Sequence, residues 1–200
     1  AVGHTPESLE VEMNWIDKNI NGRPYGIDLL IPNNMDHKDD GGMRTRDLKA
    51  LIPPGHLDYI ENLLKTHDID TSDLWSGKYG TDYTNNMRES GATELLEVAF
   101  GHPISLFVNA LGVPPQMVID RCHDKDILVG ALTGTREHAL KHAKAGVDLL
   151  VVSGTEAGGH CGEISTMVVV PDVIDAMAAY KDVHVLAAGG IATGRQMAAC

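Results

Sequence analysis

Five short apolar runs, each close to an amphipathic segment with its own start and stop signals, restrict this chain more than any other feature. They centre on Ile27, Ile104, Leu128, Leu149 and Val185. ISLFVNA (104–110) precedes PPQMVIDRCHD (114–124), which has proline near a helix start. DILVGALTG precedes TREHALKHAKAG, a helix expected to run from an N-cap at Thr135 to a terminal Gly146. VDLLVV (147–152) is apolar throughout, as suits a parallel strand covered on both faces. After a glycine-rich loop, PDVIDAMAAY predicts another helix, VHVLAAGGI a strand ending in a double glycine, and ATGRQMAAC the start of a further helix. SLEVEMNWIDKNI and RPYGIDLLIP add an earlier helix and strand. Strand alternating with helix at this pitch predicts an α/β fold: one parallel sheet of five strands in sequence order, with helices on its outer face.

From Pro32 to His102 the alternation is interrupted. Two polar, glycine-bearing stretches, NNMDHKDDGG and HDIDTSDLWSGKYGTDYTNN, accompany two plausible helices, GHLDYIENLLKTH and MRESGATELLEVAF. A connection this long is expected to fold as an insertion, at about 33–100, over one end of the sheet, either as a lid or as a decorated surface. The chain opens on a helix with no strand before it and stops early in another, so a barrel cut at both ends is expected.

At 200 residues the chain suits one sizeable core. A formal charge of −12 argues against nucleic acid or an anionic membrane surface as partner, because either would be repelled. No apolar run approaches the roughly 20 residues needed to cross a bilayer. An odd set of cysteines, Cys122, Cys161 and Cys200, suits a reducing, cytoplasmic setting.

Ligands of parallel α/β proteins sit at the carboxyl ends of strands. The residues expected there are Asp28, Asn109, Thr133, Ser153 with the loop to Gly162, and the pair Gly189 and Gly190. In AAGGIATGRQ a strand stops at two glycines and a helix begins, which outlines a phosphate site, although such a turn is also common without a ligand. GTEAGGHCGEIST places His160 in a glycine loop directly after a buried strand, either as a proton-transfer group or as a histidine that merely bonds loop backbone. His138 and His142, spaced i, i+4, could share a metal, but no third ligand is evident nearby. A solvated helix face is expected for them, and no metal. Cys161 lacks a placed activating base, and a G-x-G-x-x-G dinucleotide signature is absent.

GTEAGGHCGEISTMVVVPDVIDA followed by VLAAGGIATGRQMAA resembles the core of the nitronate monooxygenase family, FMN-dependent (β/α)8 barrel enzymes. The likeness extends through HTPESLE, RPYGIDLLIP, HPISLFVNALG, LVGALTGTREHA and AGVDLLVVSGTEAGGH, covering essentially all but the insertion. It implies a partial TIM barrel over 1–200 that lacks two early strands and the last one. His160 matches the family's catalytic histidine. Gly158 and Gly159 match the loop beside the flavin, and Gly189 and Gly190 match glycines at its phosphate. Asp28 stands where members often carry Asn, and Ser153 where many carry Gln; both positions, with Asn109 and Thr133, belong to the strand ends that hold the cofactor.

The resemblance implies flavin-dependent oxidation of an alkyl nitronate or nitroalkane by O2 to a carbonyl compound and nitrite. His160 would act as base or hold the nitronate oxygens. Two alternatives remain: a flavin-dependent enoyl-ACP reductase, whose barrel carries a similar GGH loop, and a non-catalytic truncated barrel unable to hold FMN.

Overall fold

The computed structural model describes residues 3–31, 50–72, 74, 86 and 89–200. Its sheet is made of β1 (Gly26–Leu29), β2 (Leu106–Asn109), β3 (Leu128–Thr133), β4 (Leu149–Ser153) and β5 (His184–Ala188). Every strand is parallel to, and paired with, the next one in sequence, giving the order β1-β2-β3-β4-β5. The expected α/β architecture is therefore present, with each strand close to its predicted centre. Because the register is continuous, Leu29, Asn109, Ala131, Leu150 and Val185 lie in one row across the sheet.

The helices are α1 (Pro6–Asn19), α2 (Pro54–Thr66), α3 (Glu89–Phe100), α4 (Gln116–His123), α5 (Arg136–Ala145), α6 (Thr166–Ala176) and α7 (Gly194–Ala199). Local chemistry sets several boundaries. The Thr5 hydroxyl accepts from Ser8 N while Ser8 answers at the Thr5 N–H, and Pro6 supplies a preset first turn for α1. Helix α5 starts where predicted, with Thr135 accepting from His138 N, and ends at Gly146, whose φ of +96° only glycine adopts cheaply.

Helix α6 departs from expectation. It begins at Thr166 rather than at Pro171, which lies inside it. The reason is tertiary: the Glu156 carboxylate, reaching across from the preceding loop, accepts from Thr166 N at 2.8 Å and starts the helix a turn early. Burial of Val169, Val170 and Val173 then overrides the weak helix propensity of β-branched residues.

One sheet face is sealed by helices. Ile27, Phe107, Val129, Leu150 and Val152 meet Leu9 and Met13 of α1, Leu95 and Leu96 of α3, Val118 and Ile119 of α4, and the α6 valines in one apolar cluster. Helix α3 packs on α1 and β1, so this end of the segment expected as an insertion supplies an outer-layer helix. Helix α2 buries none of its residues. NNMDHKDDGG, and most of HDIDTSDLWSGKYGTDYTNN, lie outside the described residues.

The opposite face is open among the described residues: Leu128 is 52% exposed, Leu132 38% and Leu186 52%. An apolar face of this kind favours self-association. Phe107→Ala, which empties a fully buried site, should cost about 3–5 kcal/mol in urea unfolding. Leu186→Lys, on the open face, should change stability by no more than about 0.5 kcal/mol while reducing self-association in sedimentation. Comparable destabilisation by both would contradict the assignment of faces.

At the amino-terminal side of the sheet, His102 holds α1 to the turn before β2. Its Nδ1 lies 2.6 Å from Asp17 and its Nε2 3.2 Å from Glu10, while the Tyr25 hydroxyl donates to Asp17 at 2.6 Å. Burial works against the charged ring, but the hydrogen bonds and charges of Asp17 and Glu10 outweigh it, and the His102 pKa is raised. A raised folded-state pKa adds stability that is complete below the unfolded value, about 6.5, and is lost as pH climbs through the folded value. The denaturation midpoint of the native chain should therefore exceed that of His102→Asn by more near pH about 6 than near about 9. An equal gap at both would show that the ring acts uncharged.

Candidate active site at the carboxyl ends of the strands

All five carboxyl ends open on the same rim, and the predicted residues divide there into those that line a cleft and those that do not. A cleft of about 480 Å³ lies across the ends of β2, β3 and β4. Thr133, Ser153 and His160 all line it, together with Cys161, the loop Ala110–Val113 and the α5 side chains His138, Lys141 and His142. Asp28, Asn109, Gly158, Gly159, Gly189 and Gly190 are not part of its lining.

Asn109 is completely buried, and its amide is occupied. Oδ1 accepts from Ile31 N at 2.8 Å, and Nδ2 donates towards the carbonyls of Ile31, Leu111 and Gly112 at 3.0–3.2 Å. It thus ties the loop after β1 to the loop that forms one cleft wall. Thr133 is buried too, and its hydroxyl donates to the Thr135 carbonyl at 3.1 Å. Ser153 is half-buried at the end of β4. Asp28 stands on the open sheet face beside Val108, where desolvation by its surroundings raises its carboxyl pKa.

The glycine loop is built around Glu156. Its Oε2 accepts from both Thr166 N and Thr166 Oγ1 at 2.8 Å, and Gly154 N donates to Thr166 Oγ1 at 3.2 Å. These bonds, led by the backbone N–H of Thr166, hold the Glu156 carboxyl below its ordinary pKa. A Cβ on Gly154 would overlap the Thr166 backbone nitrogen, so the crossing needs glycine there. Beyond this clamp the tip of the loop is open: nothing lies within 4 Å of a Cβ placed on Gly158 or Gly159, the latter at φ +74°, and His160 is exposed.

Gly189 and Gly190 adopt φ of +88° and +73°. A Cβ on Gly189 would stand 2.8 Å from Ala157 Cβ, and one on Gly190 2.7 Å from Glu156 Cβ. The double glycine is thus what lets the β5 turn close against the histidine loop. The helix behind it is capped from within, since Gln196 Oε1 accepts from Ala192 N and Thr193 N at 2.9 Å each.

The expected solvated face for His138 and His142 is only half right. His138 is exposed, whereas His142 is 2% exposed and turned into the protein. Its place opposite β3 follows from which face of α5 packs inward, with Ala139 and Ala143 beside it. Among the described residues no group of three His, Cys, Asp or Glu could hold a metal ion. The clamp of Glu156 and Thr166 was also not anticipated, although GTEAGGH displays the acid two residues before its glycine pair.

Glu156→Gln keeps the size of the side chain but weakens acceptance from Thr166. Amide hydrogen exchange over residues 154–166 should accelerate while the strands stay protected. Unchanged exchange in that loop would show that the glycine crossing alone holds it.

Comparison with known proteins bears on the family and the fold. The nitronate monooxygenase family model matches residues 60–200. Rv1533 of Mycobacterium tuberculosis, provisionally named a monooxygenase, is 46% identical over 201 residues, covering 100% of this chain and 52% of that protein. A provisionally named nitronate monooxygenase of Staphylococcus saprophyticus is 36% identical over 209 residues, covering 96% of this chain and 50% of its own. The chain therefore spans about half the length of the curated relatives it matches. The nitroalkane oxidase of Streptomyces ansochromogenes superposes with a TM-score of 0.65 at 22% identity, over 98% of this chain and 52% of that one. That likeness carries the fold, a partial TIM barrel. With more than two thirds of its length inside the family model, the chain belongs to the nitronate monooxygenase family.

Proposed function

We propose that the protein is an FMN-dependent oxidoreductase that converts an alkyl nitronate or nitroalkane, with O2, to a carbonyl compound and nitrite. The observation that carries this reading is the meeting of His160, from the glycine loop, with Thr133 and Ser153 in one cleft at the strand ends of a chain that the nitronate monooxygenase model matches. Bound FMN would supply the electron transfer that side chains cannot.

The residues present fit such a cofactor along one side. The backbone at Gly158 and Gly159 has open space beside it, so a flat ring can approach the loop closely. At Gly189 and Gly190 the space beside Cα is filled by Glu156 and Ala157. A role for that pair at a phosphate would rest on its backbone N–H groups, aimed by the positive φ angles. Asp28, Asn109, Thr133 and Ser153 would complete the strand-end support, with Asn109 acting through the loop it pins.

The chain's own chemistry then centres on His160. A neutral imidazole accepts the proton from the carbon bearing the nitro group. The imidazolium so formed lies beside the negative charge that develops on the nitro oxygens and stabilises it. The clamp at Glu156 and Thr166 limits how far the loop can swing, which keeps the ring near the reacting carbon.

His160→Asn separates this role from mere binding. Turnover of a neutral nitroalkane should fall by roughly 10²–10⁴-fold, with the flavin absorbance retained. A pre-formed nitronate has already lost its proton and should suffer less. Equal losses on both substrates would reduce His160 to a binding group. Absence of a flavin band in the purified protein would favour the non-catalytic barrel, and NAD(P)H-driven reduction without nitrite release would favour the enoyl-ACP reductase.

A further inference from the structure

The loop after β2 breaks the ordinary rule for a rim. ALGVPP (110–115) runs for six residues without a polar side chain, although Leu111 is 41% exposed and Gly112 is exposed beside it. Solvent-facing loops are polar as a rule, and a run of exposed apolar residues is kept where function uses it.

The polar backbone of this loop is turned away from the surface it presents. The carbonyls of Leu111 and Gly112 face the buried amide of Asn109, at 3.2 and 3.0 Å, and Gly112 adopts φ +75°. With those acceptors occupied, the loop offers the cleft its side chains. Ala110, Leu111 and Val113 line it, and Leu132 of β3, 38% exposed, joins them. Held from below by Asn109, this wall is in place before a ligand arrives, so little order has to be gained on binding.

Among the described residues, every hydrocarbon side chain in the lining is one of these four. The α5 wall is polar, with His138, Lys141 and His142, and the strand ends bring Thr133 and Ser153. The apolar part of a ligand therefore leaves water most favourably at the Leu111 wall, where it buries no polar group. His160 lines the same cleft, and the carbon it would deprotonate carries the rest of the substrate with it.

We propose that Leu111, with Val113 and Leu132, forms an apolar subsite for the alkyl chain of the substrate, and that Leu111 sets a preference for chains of several carbons over the shortest nitro compounds. The reacting group rests on the proposed function, whereas the subsite makes only apolar contacts and stands without it. Flavin support engages this loop through the backbone that Asn109 holds, and the Leu111 side chain has no part in it.

The test uses primary straight-chain alcohols from ethanol to hexanol, which carry no nitro group and need no turnover. Their binding at saturating FMN is followed through the methyl resonances of Leu132. Affinity should rise roughly fourfold per added methylene over the first few carbons, and Leu111→Asn, close in size but polar, should flatten the rise to less than about twofold. Among primary nitroalkanes kcat/KM should follow the same slopes, with KM carrying the difference. Leu111 is partly exposed, so the variant keeps the fold, and Leu128→Asn, on the open sheet face but outside the cleft lining, should leave both slopes unchanged. A flat native series, a slope that Leu111→Asn leaves intact, or an equal loss in Leu128→Asn would overturn the proposal. Weaker FMN binding in Leu111→Asn with the alcohol slope intact would also overturn it, by giving the wall to the cofactor. The expected alcohol slopes without turnover of any nitroalkane would uphold the apolar subsite and reject the nitronate reading instead.

Discussion

Everything at the site depends on an unbroken parallel ladder in which each strand pairs with its successor. That arrangement leaves every carboxyl end on one rim, and among the described residues the helices α1, α3, α4 and α6 pack on one face of the sheet. The amino-terminal side is then free for structural work, and the His102 network with Asp17, Glu10 and Tyr25 sits there. The division is physical: loops on the rim must keep polar groups available, whereas the opposite end can consume its own in ion pairs and hydrogen bonds.

The rim is held by bonds made by residues outside the cleft lining. Asn109 spends its whole amide on the loops after β1 and β2. Glu156 and Thr166 fasten the histidine loop to the start of α6, and Gly189 and Gly190 allow that loop to pack on the β5 turn. The consequence is a loop rigid at its root and open at its tip, where His160 projects. Such a division suits chemistry in which one ring must meet a substrate at a defined distance without being buried.

Charge is partitioned in a similar way. The chain has a net charge of −12, and among the described residues the cleft is lined by Lys141 and imidazoles and by no carboxylate. Some acidic groups elsewhere are paired, as in Glu97 with Arg121 and Asp172 with Arg136, and Glu156 serves as a cap. Among the described residues the one fixed charge on the cleft lining is therefore positive, opposite in sign to the net charge of the molecule.

The alternation of apolar runs with capped helices determined the strands, their order and the bounds of α5, because those signals are local: period, N-cap and terminal glycine. The glycine-rich loop and its His160 were legible for the same reason, since a motif at a strand end states its own position. Only the tertiary structure decided the rest. Pro171 lies inside α6 because Glu156, ten residues from Thr166, supplies the helix with its first acceptor. Asn109 is consumed by backbone on two loops. His142 is buried while His138, one turn away on the same helix, is exposed. Each of these turns on which groups meet across the fold, and spacing along the chain carries no record of that.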